Sequence, residues 1–150
     1  MAETLTSRTI TATYSVTDGA LRAESIQNRL TGRTVPLVSS SEVAVVLSSV
    51  VDRVAEPRRV DDFRVVETVR RQDAGVVWLL RSADSGLEVE VHVDLQDSTR
   101  IKWVELINPG QREVLVLDVV VDDFRLDTAL EGGGQGQPAF IASELFAAIE

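Results

Sequence analysis

Residues 87–95 read Leu-Glu-Val-Glu-Val-His-Val-Asp-Leu, apolar and polar in unbroken alternation over nine positions. Successive side chains of an extended chain point to opposite faces. The pattern therefore predicts a strand with one dry face and one wet face. Apolar segments lie on either side, at 75–81, 101–108 and 113–121. Turn-forming residues separate them: Asp84-Ser85-Gly86, Gln96-Asp97-Ser98 and Asn108-Pro109-Gly110. Four strands in chain order with short links predict an antiparallel meander over residues 75–121.

Earlier residues supply more strands. Ile10, Ala12, Tyr14 and Val16 alternate along 9–16, and Asp18-Gly19 reads as a hairpin turn into a weaker strand over 20–28. Thr31-Gly32 marks the next turn, and Pro36 suits an edge or a strand start. A short apolar strand is expected over 42–47, a charged loop carrying Pro57 over 52–59, and a strand over 63–71 ending at Asp73-Ala74-Gly75. Residues 1–7 read as a loose lead-in, 131–137 as a glycine-rich loop, and 138–150 as extended chain docked on the body. No helix is expected before residue 140. The fold class is all-β: an antiparallel β-sandwich over 1–150, as one domain or a fragment.

Segments 43–47, 76–80 and 114–117 are apolar on both faces, which predicts strands covered on both sides. Trp103 and Val104 interrupt the alternation; a strand buried on both sides is favoured there over a bulge.

Composition narrows the function classes. Hydrophobic residues make up 44% of the 150, which argues against disorder. The net charge of −9 would repel a phosphate backbone, so no nucleic-acid partner is expected. With no cysteine there is no disulfide, thiolate metal site or cysteine nucleophile. The first residues hold no apolar leader, and the apolar runs are too short to span a bilayer. A soluble, cytoplasmic chain without a membrane partner is expected. Lys102 is the only lysine beside scattered arginines, which reads as compositional bias.

Few residues offer chemistry. His92 is the only histidine, and alternation sets it on one face with Glu90 and Asp94. That trio could move protons near neutral pH, although a solvated strand face is the plainer reading. A metal centre would need ligands converging from another strand, so neither metal nor cofactor is expected. The stretch 131–138 lacks the lysine and following helix of a phosphate loop. Its Gln135 and Gln137 are candidate substrate-binding residues if the loop borders a ligand. Ser39-Ser40-Ser41 reads as a polar loop rather than a nucleophile site. Val60-Asp61-Asp62-Phe63-Arg64-Val65 recurs as Val121-Asp122-Asp123-Phe124-Arg125-Leu126, consistent with two strand starts sharing a local need. The aspartates then serve turns, not catalysis.

Three stretches carry a family resemblance. Residues 25–37, Ser-Ile-Gln-Asn-Arg-Leu-Thr-Gly-Arg-Thr-Val-Pro-Leu, resemble the opening hairpin of the N-terminal β-supersandwich, a galactose mutarotase-like domain, of α-galactosidase-like glycoside hydrolases. Residues 61–65, Asp-Asp-Phe-Arg-Val, resemble the strand that follows there. Residues 133–140 and 145–150 resemble its Gly-Gln-Pro-Val-Phe and Phe-Phe-Ala-Gly-Ile-Glu pattern, with Ala148 in place of a glycine. The resemblance implies an incomplete supersandwich, a fragment or isolated N-terminal part that supports or borders the sugar site of a catalytic (β/α)₈ barrel. The family's two catalytic aspartates lie in the barrel, so no residue here inherits their roles. Carbohydrate would be met through that barrel, and uncovered apolar strands would permit self-association. Two alternatives stand beside this: a small mutarotase-like epimerase using His92, and a protein-interaction sandwich.

Overall fold

The computed structural model describes residues 1–51, 54–71, 73–134 and 137–147. Among them are fifteen strands and no helix. The first six are β1 (Ala2–Thr6), β2 (Ile10–Thr17), β3 (Ala20–Asn28), β4 (Thr34–Ser41), β5 (Ala44–Val51) and β6 (Val54–Val60). Next come β7 (Phe63–Arg71), β8 (Gly75–Ser82), β9 (Glu88–Gln96) and β10 (Thr99–Ile107). The last are β11 (Leu115–Val120), β12 (Asp123–Leu126), β13 (Leu130–Gly134), β14 (Gln137–Ile141) and β15 (Leu145–Ala147).

They form four antiparallel sheets, ordered β1-β2-β3-β4-β12, β10-β9-β8-β7, β11-β5-β6 and β13-β14-β15. Local chemistry sets the hairpins. Asp18 and Gly19 both have positive φ, 51° and 76°, the geometry whose twist matches two paired strands. Asp97, at φ 48°, turns β9 into β10 so that Gln96 faces Thr99.

The five-stranded and four-stranded sheets pack as a sandwich-like arrangement. Leu5, Ile10, Ala12, Tyr14, Leu21, Ala23 and Leu37 come from one side of the core, and Phe63, Val76, Trp78 and Leu80 from the other. Val89, Val91, Val93 and Leu95, the dry face of the alternating segment, complete it. Tyr14 and Trp78 meet at its centre with ring centroids 4.9 Å apart. Burying several aromatic and aliphatic side chains, each worth about 1.5–3 kcal/mol, supplies the driving force for this closure.

The meander exists but is displaced by one strand. It runs β7-β8-β9-β10, while β11 leaves to pair with β5. The stretch at 108–114 is an irregular connection rather than a tight turn, long enough for the chain to cross to another sheet.

Other expectations are corrected. Residues 1–7 are no loose lead-in: β1 pairs with β2 along its whole length and Leu5 is fully buried. The expected loop at 52–59 holds β6, an edge strand where Pro57 faces Ser48 and withholds no needed donor. Residues 52 and 53 lie outside the described ones. The glycine stretch is not a plain loop, since β13 runs through 134 and pairs with β14, with Gly132 and Gly133 at positive φ. Residues 114–117 are not covered on both sides; Leu115 and Leu117 are exposed. No bulge occurs at Trp103 and Val104, where the β9–β10 register is continuous.

The described part of the tail holds two strands, β14 and β15, joined by a turn, and it is tied down; residues 148–150 lie outside the described ones. Glu144, between β14 and β15, accepts hydrogen bonds from Asn28, Thr31 and Arg33 at the β3–β4 turn. These donors hold its carboxyl below the usual carboxylate range, the Arg33 hydrogen bond most of all.

Candidate functional site

The outer face of the meander carries the one histidine. Register sets His92 opposite Trp103 on β10 and opposite Val77 on β8. The imidazole and indole rings stack, with centroids 4.7 Å apart and planes 12° from parallel. The expectation of a solvated face fails here. His92 is 4% exposed, because Trp103 lies over it and the neighbouring strands close around it.

Glu90 and Glu105 are direct partners across β9 and β10. His92 Nε2 lies 3.1 Å from Glu90 Oε2 and 3.4 Å from Glu105 Oε1. His92 Nδ1 is buried without a partner. The trio differs from the one read along a single strand. Glu90 belongs to it, Glu105 joins from the adjacent strand, and Asp94 does not take part. Asp94 instead turns its carboxylate over Gly75, where a Cβ would collide with it.

Gln135 lies outside the described residues. Gln137 opens β14 opposite Gly134. The two glutamines are not brought to His92 by any strand pairing among the described residues.

A second polar cluster lies inside the sandwich. Lys102 Nζ donates to Glu42 Oε2 at 2.6 Å, to the Glu42 carbonyl at 2.8 Å and to Asp122 Oδ1 at 2.8 Å. The Ala23 amide donates to Glu42 Oε1 at 2.7 Å. Arg100 donates to Tyr14 Oη at 2.7 Å and to both Asp122 oxygens. Burial pushes the Tyr14 hydroxyl well above its ordinary range. Burial also works to raise Asp122, but Arg100 and Lys102 outweigh it and hold that carboxyl below its ordinary value.

The two carboxylates of this cluster occupy corners where the chain changes sheet. Glu42 lies between β4 and β5, Asp122 between β11 and β12. The near-repeat marks the two exits from the β11-β5-β6 sheet, into β7 and into β12. Arg59 bridges one aspartate from each copy, Asp61 at 3.4 Å and Asp123 at 3.5 Å. Asp62 accepts from the Ser82 hydroxyl and the Asp84 amide, which hold its carboxyl low against the opposing effect of burial. The aspartates are therefore corner fixtures.

An open cleft of about 220 Å³ lies beside the cluster, lined by residues including Arg22, Ser40, Glu42, Asp61 and Arg64. His92 does not line it. No helix among the described residues is long and apolar enough to cross a membrane. Comparison with protein-family models, curated proteins and solved structures finds no match to this chain.

Proposed function

We propose that this chain is a non-catalytic β-sandwich of a carbohydrate-active enzyme resembling the α-galactosidase-like glycoside hydrolases. In this reading it braces or borders a sugar site formed by a catalytic barrel. The observation that supports it is the β13-β14-β15 sheet. The described residues of the segment carrying the resemblance, to Gly134 and from Gln137, fold as this separate small sheet, and its cross-strand pair Phe140 and Phe146 is 49% and 61% exposed. Their rings touch each other, with centroids 5.5 Å apart, and face outward. Large aromatic side chains on a glycine-bearing sheet suit a surface that other protein mass covers. Gln137, at the start of β14, would border the sugar, together with Gln135 of the same sequence stretch.

A mutarotase-like reading is less well supported. The His92 ring is 4% exposed, stacked on Trp103, and its Nε2 already lies against the Glu90 and Glu105 carboxylates. Mixing the chain with the barrel of an α-galactosidase-like hydrolase that lacks its own sandwich tests the proposal by size-exclusion chromatography with light scattering. A one-to-one complex lost in Phe140→Ser/Phe146→Ser is expected. Two separately eluting species with the unaltered chain would overturn it.

A further inference from the structure

We propose that Glu90, His92 and Glu105 form a binding site for a divalent transition-metal cation, with Zn²⁺ the best match. This stands apart from the carbohydrate reading and does not depend on it.

The distances fit a shared ion. Zn²⁺ binds histidine nitrogen and carboxylate oxygen at about 2.0–2.2 Å, so ligand atoms around one ion lie about 3–3.5 Å apart. His92 Nε2 lies 3.1 Å and 3.4 Å from the two carboxylate oxygens. All three ligand atoms fall within 4.8 Å of one another, and this is the one such group among the described residues.

Charge also calls for a cation. Glu90 and Glu105 face each other directly across two strands, a pairing that like charges destabilise. A single Nε2 can donate to only one of them at a time. Glu88 on the same strand is neutralised by Arg81, its cross-strand partner. Among the described residues, no arginine or lysine forms an ion pair with Glu90 or Glu105.

The framework is rigid. The ligands come from adjacent strands in continuous register. His92 is 4% exposed, and the Trp103 stack fixes its ring plane. That stack replaces the hydrogen bond a ligating histidine more often makes through its other nitrogen, since Nδ1 has no partner here. Glu105 is 60% exposed, so water can complete the coordination from the solvent side.

Titrating ZnCl₂ into the chelator-stripped chain by calorimetry, with tryptophan emission followed in parallel, tests the site. One-to-one binding with a change in emission is expected, because Trp103 lies against the ligating ring. Glu105→Gln, a change at an exposed position, should leave the circular dichroism intact and weaken binding by about tenfold or more. His92→Gln should abolish it. No binding at millimolar Zn²⁺ would overturn the proposal. So would binding equal to the unaltered chain in Glu105→Gln and His92→Gln.

Discussion

Lys102 Nζ lies 2.6 Å from Glu42 Oε2, and neither side chain is more than 3% exposed. The pair joins the central body of the sandwich to a corner where the chain changes sheets. Asp122 brings the second corner to the same ammonium. Three polypeptide segments far apart in sequence thus meet at one buried charge.

Removing that charge should be severe. Lys102→Met leaves the Glu42 carboxyl shut away from water without its counter-ion, and breaking a buried pair in this way costs about 3–5 kcal/mol. That is a large fraction of the roughly 5–15 kcal/mol expected for a domain. Urea denaturation should show the loss. Adding Glu42→Gln to Lys102→Met should recover part of it, since an amide needs no counter-ion. A Lys102→Met chain as stable as the unaltered one would show that the network is dispensable.

Acid should loosen the same corner. The Asp122 carboxyl is held below its ordinary value of 3.8 in the folded chain. Its contribution is therefore fully present above the unfolded value and is lost as pH falls from about 3.8 through the folded value. Asp62 shifts in the same direction and adds to the trend. The thermal midpoint should drop steeply below that pH. Asp122→Asn should cost about 2 kcal/mol at neutral pH and flatten the acid limb. An acid limb unchanged in Asp122→Asn would assign the effect to other carboxylates.

The alternation at 87–95 carried the fold class because the pleat has a strict period of two, and the burial of β9 follows it at every position except His92. The Asp97 turn held more than was read from it. A two-residue turn sets Gln96 opposite Thr99, and counting back places Trp103 opposite His92 and Glu105 opposite Glu90. Glu105 was legible by register, whereas Asp94 was favoured by nearness along one strand. The burial of His92 was not legible, because it depends on which way the Trp103 ring lies. Lys102 gave a weak signal. It shares parity with Val104 and Leu106, which pack against the core, so a charge there needed a buried partner. Nothing local identified that partner, since Glu42 lies sixty residues away in sequence. The first strand was hidden for a similar reason: it places a single fully buried side chain, Leu5, in the core.

The tail should prove integral to the fold. Ile141 is 4% exposed, and Glu144 is tied to three residues of the β3–β4 turn. A chain ending at Gln137 loses both attachments and should aggregate on warming, with a lowered thermal midpoint. Glu144→Ala keeps Ile141 and should show a smaller shift. A truncated chain that stays monomeric and equally heat-stable would contradict a docked tail.

The proposal that this sandwich is a brace and not a mutarotase is tested most directly by polarimetry. Fresh α-galactose mixed with the chain should relax to its anomeric equilibrium at the rate seen in buffer alone, since the His92 ring is covered by Trp103. Relaxation that accelerates in proportion to protein, and returns to the buffer rate in a folded His92→Ala chain, would contradict the account and make His92 an acid–base catalyst.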